Sequence, residues 1–147
     1  MEKSCRKTTL FFLLLTALFF VGFDYAHAGR TEADKYNKQG KEAYQAKRYD
    51  DALRMFEMAT KADPTFEEAH ANLAEVYMAI LRPKEAIAEY NRAIEINPEN
   101  PTHYLRLGSI YLEEKEFEQA IDNLSKAKKL APSVPLIYLT LGQTYFE

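Results

Sequence analysis

The fold is decided by one stretch of the chain, residues 101–134, with the sequence PTHYLRLGSIYLEEKEFEQAIDNLSKAKKLAPSV. Between Tyr104 and Tyr111 its apolar and glycine residues recur at i, i+3, i+4 and i+7, which is one face of an α-helix. The same kind of spacing returns in the second half, after the polar residues 113–116. Pro132 ends the second segment because a proline ring cannot continue a helix. The stretch therefore predicts two antiparallel helices joined by a short turn.

This stretch is one of three copies that follow each other along the chain. Prolines lie 34 residues apart, at Pro64, Pro98 and Pro132. Several columns that share one long period are not expected from composition alone, and such a period indicates a repeat protein. Two alanine columns keep the same step: Ala52, Ala86 and Ala120 form one, and Ala59, Ala93 and Ala127 form the other.

Small residues occupy the positions where the two helices of each copy are expected to cross. In the third copy Ala120 is predicted to face Gly108, because a larger side chain there would push the two backbones apart. One hairpin buries too little apolar surface to fold alone, so neighbouring hairpins must stack into a continuous core. The corresponding pairs in the first two copies are Ala52 with Gly40 and Ala86 with Ala74.

These columns resemble the tetratricopeptide repeat, whose signature combines aromatic, Leu-Gly, tyrosine, alanine and proline positions in a unit of this length. The resemblance implies an all-α fold, a right-handed superhelical solenoid of helix-turn-helix hairpins with about three and a half repeats. None of the three turns inside the hairpins carries the glycine that is common in the family. The predicted organisation is a short linker at 29–32, repeats at 33–66, 67–100 and 101–134, and a partial repeat with a first helix only at 135–147.

The N-terminus has the three parts of a secretory signal peptide. Basic residues precede an apolar run at residues 10–23, and Ala26 and Ala28 then form a small-residue cleavage site. Cleavage after Ala28 would remove Cys5, the only cysteine, and would give a secreted or periplasmic protein that does not bind membranes. The alternative is a membrane anchor through residues 10–23, but this run has 14 residues, whereas a spanning helix needs about 20.

The resemblance also implies where a partner would bind. In this family the first helix of each repeat lines a concave groove, and the groove side chains come from fixed positions of the unit. Carried over residue by residue, these positions change from polar in the first repeat to apolar near the end of the chain. In the alternative interpretation, Leu112, Leu139 and Phe146 pack inside the array. The predicted partner-binding groove consists of Asn37, Lys41, Tyr44, Met78, Leu105, Ser109, Leu112, Leu139 and Phe146.

A more specific ligand follows from a subset of the family, whose members clamp the C-terminal carboxylate of chaperones. Asn72 and Arg106 match two of the five clamp positions. The other three are occupied by Asn37, Lys41 and Thr102, which differ from the clamp residues. We therefore do not expect this chain to be a carboxylate clamp.

The sequence offers little for catalysis, for metals or for nucleic acids. A net charge of −3 argues against a phosphate-binding surface, which needs clustered cations. His70 and His103 lack neighbours at metal-ligand spacing, and His70 takes an aromatic position of the repeat. We expect no enzyme activity, no cofactor, no metal and no nucleic-acid partner.

The end of the chain is unusual for a repeat array, because a first helix is not followed by a second. Ile137, Leu139 and Phe146 are then predicted to form an exposed apolar face, whereas terminal repeats usually have a polar outer side. We expect either that the sequence is part of a longer array or that this face docks onto something. Self-association through the C-terminal helix is one such contact.

Two classes of function remain. The favoured one is a protein–protein interaction scaffold that binds a peptide or helix of a partner and assembles or recruits an envelope or periplasmic complex. The alternative is an N-terminal regulatory or sensor arm of a longer exported or membrane-anchored protein, with its effector domain beyond residue 147.

Overall fold

The computed structural model describes residues 29–147, and within them the chain is all-α, without a strand. The predicted signal peptide, residues 1–28, lies outside the described residues. Seven helices follow each other, the first six as three antiparallel pairs and the seventh after the third pair, which confirms the predicted fold class. They are α1 from residue 29 to 45, α2 Tyr49–Ala62, α3 Glu67–Ala79, α4 Pro83–Ile96, α5 Pro101–Glu113, α6 Phe117–Leu130 and α7 Pro135–Phe146.

The predicted linker at 29–32 is helical instead, as the first turn described for α1. No proline or second glycine follows Gly29 to interrupt the helix here. Arg30 also holds this turn to the connection between α2 and α3, since its Nη1 lies 3.0 Å from Asp63 Oδ2 and its guanidinium stacks 3.7 Å from the centre of the Phe66 ring.

The turns inside the three hairpins share one conformation. Lys47, Leu81 and Lys115 have φ angles of 56°, 59° and 62°, which is the left-handed region where glycine is usual. The amide after each of them donates to a carbonyl five residues back, as in Arg82 N to Tyr77 O at 2.8 Å. This is the Schellman arrangement that ends a helix. The backbone therefore keeps the family's turn although the glycine is missing.

Between hairpins, the chain turns at Asp63 and Asn97. Asp63 Oδ1 accepts a hydrogen bond from the amide of Thr65 at 2.9 Å, and Asn97 Oδ1 from the amide of Glu99 at 3.3 Å. Such side-chain turns compete with the helix and help to stop it. Helix α5 then begins with Pro101, whose fixed φ suits the first helical position.

The core is a row of apolar clusters along the stack of hairpins. The alanines at the predicted crossings, Ala52, Ala86 and Ala120, are completely buried. A Cβ added to Gly108 would lie 2.7 Å from Leu124 Cγ and 3.3 Å from the Ala120 carbonyl oxygen, so the two helices do cross closely at this glycine. Among α2–α7, extensive packing joins helices that are adjacent in sequence, with a smaller contact between α5 and α7.

Helix α7 has one buried side and one exposed side. Ile137 was predicted to be exposed, but it is 1% exposed, because it packs against Leu124 and Ala127 of α6. Leu139 and Phe146 are 69% and 90% exposed. None of the helices in the described part of the chain has the length and hydrophobicity needed to cross a membrane.

Candidate functional site

The first helices of three successive repeats meet at a pocket of about 420 Å³, which we call the groove pocket. Helix α1 contributes one side, α3 the centre and α5 the other side, and one aromatic ring reaches it from α2. The lining residues are Lys41, Tyr44, Gln45, Phe56, Asn72, Glu75 and Arg106.

A polar contact between α1 and α3 fixes one edge of the groove pocket. Asn72 Nδ2 donates to Asn37 Oδ1 at 2.8 Å, and Asn37 is buried. On the same two helices, Lys41 Nζ lies 2.9 Å from Glu68 Oε1. The hydrogen bond from Lys41 is the main cause that holds the pKa of Glu68 below its ordinary value. Lys41 therefore faces the pocket with its charge already partnered.

A second polar contact joins α3, α4 and α5 at the other edge. Tyr90 donates from its hydroxyl to Glu75 Oε1 at 2.5 Å, and Arg106 Nε lies 3.0 Å from the same oxygen. Burial, followed by the charge of Glu75, raises the pKa of Tyr90 far above its ordinary value, so the hydroxyl keeps its proton and remains a donor. Glu75 is held between a buried donor and a cation.

Tyr44 supplies the aromatic wall of the groove pocket. It is half-buried, and its ring meets the Tyr49 ring edge-on with centroids 5.7 Å apart. Burial, with a smaller effect of the Glu75 charge, raises the pKa of Tyr44. A neutral tyrosine with a free face and a hydroxyl can pack against an apolar side chain and also hydrogen-bond.

A second cavity of about 360 Å³, the end pocket, lies between α5, the start of α6 and α7. It mixes the apolar side chains of Leu112 and Phe117 with charged groups and hydroxyls. The lining residues are Ser109, Leu112, Glu113, Lys115, Phe117, Thr140, Gln143 and Glu147.

The structure distributes the predicted groove residues over five environments. Lys41 and Tyr44 line the groove pocket, and Asn37 lies beneath it, bonded to Asn72. Ser109 and Leu112 line the end pocket. The predicted residues outside both pockets are Met78 and Leu105, which are half-buried and packed on core clusters, and Leu139 and Phe146, which are exposed on α7.

Five lining residues are not among the predicted groove residues: Gln45, Phe56, Asn72, Glu75 and Arg106. Glu75 stands at one of the family's groove positions and could have been chosen for that reason. Arg106 and Asn72 were considered only as parts of a carboxylate clamp. They do line one pocket, but Glu75 already holds the Arg106 guanidinium, so a ligand carboxylate would have to compete with it.

The two histidines within residues 29–147, His70 and His103, are structural partners of carboxylates. His70 Nδ1 lies 2.7 Å from Glu89 Oε2, and His103 Nε2 lies 2.5 Å from Glu67 Oε1. Both rings are buried. Within residues 29–147 no three histidine, cysteine or acidic side chains come together in a way that could hold a metal ion.

The sequence was also compared with known proteins. A family model described as "Tetratricopeptide repeat" matches residues 43–109, and one described as "TPR repeat" matches residues 108–147. No curated protein matches the chain significantly.

Three solved structures with peptides or partners have the same fold. The first TPR of Spaghetti (RPAP3), bound to the HSP90 peptide SRMEEVD, has a TM-score of 0.77 at 20% identity, over 80% of this chain and 93% of that one. The TPR2B domain of yeast Sti1, in a complex with pHsp70, has a TM-score of 0.75 at 22% identity, over 79% of this chain and 98% of that one. The Yersinia enterocolitica type III secretion chaperone SycD, with a peptide of the translocator YopD, has a TM-score of 0.73 at 18% identity, over 77% of this chain and 92% of that one.

At these identities the solved structures establish the fold, and the family models add the sequence pattern. The two models together extend from residue 43 to residue 147, which is most of the chain. Their repeat pattern coincides with the paired helices and the close alanine and glycine crossings described above. The chain belongs to the tetratricopeptide-repeat family.

Proposed function

We propose that the chain is an interaction scaffold that binds an extended peptide or a helix of a partner protein across the groove pocket. The observation that carries this proposal is the lining of that pocket by α1, α3 and α5 together. A ligand that lies across three successive first helices contacts each repeat, and the stack holds their side chains at fixed spacing.

The chemistry of the groove pocket favours a peptide over a small charged ligand. Tyr44 offers an apolar face, and the amide of Asn72 offers a hydrogen-bonding group. Lys41 and Arg106 are each paired with a carboxylate, so the pocket has little net positive charge. A segment with an apolar anchor and main-chain amides fits this surface better than a terminal carboxylate does.

The three similar structures support the proposal by analogy. Spaghetti (RPAP3) holds an HSP90 peptide, SycD holds a YopD peptide, and the Sti1 domain forms a complex with pHsp70. Since the fold is shared, these complexes support a polypeptide as the ligand of this chain too.

The groove is tested by site-specific photo-crosslinking. A benzoyl-phenylalanine replaces Tyr44 in the groove pocket, and a matched variant carries it in place of Met58, an exposed residue of α2. We expect one crosslinked partner from position 44 that is absent from position 58 and is lost when Arg106→Glu is added. Equal crosslinking from both positions, or insensitivity to Arg106→Glu, would refute the groove as the binding site.

The choice of variant matters for this experiment. Leu105 is unsuitable because it packs against the cluster that contains Ile137 and Leu141, so an aspartate there would disturb the packing of α5 against α6 and α7. Leu112 lines the end pocket and is half-buried. The effect of Leu112→Asp on crosslinking from position 44 therefore tests separately whether the ligand reaches α7.

We further propose that residues 1–28 direct export and that the partner belongs to an envelope or periplasmic complex. The support is the basic, apolar and small-residue order of this segment. The intact mass of the protein recovered from the exported fraction tests it. We expect the mass of a chain that begins at Gly29, and a full-length chain in the membrane fraction would instead indicate an anchor at residues 10–23.

A further inference from the structure

The second helices α4 and α6 border a cavity of about 440 Å³, which we call the second-helix cleft. Leu107 and Tyr111 of α5 form its apolar wall, and polar side chains of α4 and α6 supply the rest of the lining. Leu107 is buried, whereas Tyr111 is half-buried. The cleft shares no lining residue with the groove pocket, and α7 does not contribute to it. It is therefore a separate surface inside the complete hairpins.

One buried acceptor in this cleft has no partner. Asn123 lines the cleft and is 9% exposed. Its Nδ2 donates to the carbonyl oxygen of Gln119 at 2.8 Å, and its Oδ1 accepts no hydrogen bond from residues 29–147. In that part of the chain, His103 Nδ1 is the only completely buried side-chain polar atom without a partner, so Asn123 Oδ1 is reached from the cleft. Because an unpaired amide oxygen in a mostly buried position is unfavourable, the cleft is suited to a ligand that donates hydrogen bonds.

The charges around the second-helix cleft favour a cation. Glu118 lines the cleft and has no ion pair or hydrogen bond within residues 29–147. Asp122 also lines it, and its Oδ2 lies 2.7 Å from Lys126 Nζ. These two carboxylates and one ammonium give the lining a net charge of −1. The adjoining turn, residues 113–118, has four glutamates and one lysine, so the local field attracts a positively charged ligand.

The corresponding place in the preceding hairpin is occupied by an arginine of the chain itself. Arg82 Cζ lies 5.1 Å from the centre of the Tyr77 ring, and Arg82 Nε donates to Glu85 Oε1 at 2.7 Å. Burial raises the pKa of Tyr77, and the charges of Glu57 and Glu89 raise it further, while the charge of Arg82 opposes them. A tyrosine ring, a guanidinium and surrounding acids thus form one group between α2 and α4.

In the third hairpin the ring is retained and the cation is lost. Tyr111 lies 34 residues after Tyr77, whereas Glu116 lies 34 residues after Arg82. Gln119 donates from its Nε2 to Glu116 Oε2 at 3.1 Å. In the described part of the chain, no lysine or arginine is placed over the Tyr111 ring. The third hairpin therefore keeps a ring beside acidic side chains but has no guanidinium of its own there.

We propose that the second-helix cleft binds an arginine side chain of a partner polypeptide. The guanidinium packs on the Tyr111 ring, as Arg82 does on Tyr77. It donates a hydrogen bond to Asn123 Oδ1 and pairs with the Glu118 carboxylate, while the aliphatic part of the side chain packs on the apolar wall. Arginine suits this site better than lysine, because a planar guanidinium packs on a ring and still directs its N–H groups to acceptors at its edge. The proposal does not depend on peptide binding in the groove pocket.

The probe for this site is N-acetyl-arginine N-methylamide, which carries the arginine side chain without any further peptide. It is titrated into the isotope-labelled full chain, and NMR follows the side-chain amide signals of Asn91, Gln119 and Asn123, which all line the cleft. We expect saturable shifts of these signals. The citrulline analogue has nearly the same shape without the charge, and the lysine analogue has the charge without the planar group. Each analogue should bind about tenfold more weakly than the arginine probe.

The variant Glu116→Arg tests the geometry by restoring the arrangement of the preceding hairpin. Glu116 and Arg82 are the N-cap residues of α6 and α4, so we expect the new arginine to lie over Tyr111 and to exclude the probe. The affinity should fall about tenfold. Glu114→Arg is the matched control, because it makes the same change of charge on the same turn outside the cleft lining, and it should retain most of the affinity. Both glutamates are exposed, so both variants keep the fold.

The variant Gln119→Glu should act in the opposite direction. It introduces at α6 the carboxylate that Glu85 provides for Arg82 in the preceding hairpin. We therefore expect tighter binding of the arginine probe. A gain of affinity cannot result from partial unfolding of the variant.

Four results would overturn the proposal. The first is the absence of saturable shifts at the cleft amides. The second is equal binding of the citrulline or the lysine analogue, because the guanidinium would then not be recognised. The third is an equal loss of affinity in Glu116→Arg and Glu114→Arg, because general charge attraction would then account for the binding. The fourth is the absence of a gain in Gln119→Glu.

Discussion

Replacing Gly108 and Gly142 by alanine, one at a time, should change stability in opposite directions. Both glycines lie inside helices, where alanine is more favourable by about 1 kcal/mol. At Gly142 the added methyl group meets nothing within 4 Å, so only this gain remains. We expect Gly142→Ala to raise the free energy of unfolding by about 0.5–1 kcal/mol.

At Gly108 the crowding exceeds the helical gain. The new Cβ would lie 2.7 Å from Leu124 Cγ, which is the branch point of a completely buried side chain, and 3.3 Å from the backbone oxygen of Ala120. Neither atom can move without displacing α6. Overpacking of this kind costs about 1–3 kcal/mol. After the helical gain is subtracted, Gly108→Ala should lower the free energy of unfolding by up to about 2 kcal/mol.

The pair is measured by urea denaturation followed by circular dichroism at 222 nm. Both variants remove a glycine from a first helix at the same position of the repeat, so the difference between them isolates the effect of the covering helix. We expect the two midpoints to lie on opposite sides of the midpoint of the original chain. A loss of stability in Gly142→Ala, or shifts of the same sign in both variants, would refute the reasoning from open and covered crossings.

Three other predictions concern the turns and the buried polar contacts. Leu81→Gly should raise the free energy of unfolding by about 1 kcal/mol, because Leu81 is in the left-handed region at a φ of 59°; a lower urea midpoint would contradict this. Burial acts to raise the pKa of Glu67, but hydrogen bonds from Asn97, Asn100 and His103 outweigh it and hold the pKa below its ordinary value of 4.5. The stability that Glu67 contributes is then complete above pH 4.5 and is lost as the pH falls through the lower folded pKa. Glu67→Gln should therefore flatten the acid side of the curve of unfolding free energy against pH. An unchanged slope would exclude this role. Tyr90→Phe should cost about 0.5–1.5 kcal/mol in denaturation experiments, because Glu75 loses its buried donor, and it should weaken groove binding as well.

The paired helices could be predicted from the sequence because the packing itself repeats. Every close crossing needs a small residue at the same place, so the alanine and glycine columns appear directly in the sequence. The helix ends follow for similar reasons, since Pro101 and Pro135 suit the first turn of a helix and are excluded from its interior. These features depend on local geometry within one hairpin.

The pairing of charges across the groove could not be predicted in this way. Lys41 meets Glu68 and Glu75 meets Arg106, and in each case the partners lie on first helices of neighbouring repeats. Such contacts depend on the rotation between hairpins, which no single position of the repeat encodes. For the same reason Leu105 was predicted at the groove although it packs on the α6–α7 cluster.

The exposure of α7 was predicted only in part. The missing second helix correctly indicated that Leu139 and Phe146 would be exposed. Ile137 differs because it packs against the preceding helix, α6. This contact does not require a helix paired with α7. The two sides of a first helix are therefore covered by different neighbours, which the apolar pattern of α7 alone does not distinguish.

The packing of helices almost entirely against sequence neighbours has a kinetic consequence. Mean sequence separation between contacting residues is small in such a chain, and small separations shorten the loop closures that limit folding rates. Any one of the complete hairpins can nucleate structure, which then spreads to both sides. Amide hydrogens at the two ends should consequently exchange with solvent sooner than those of α3–α5, because an outer helix can detach while the middle of the stack stays intact.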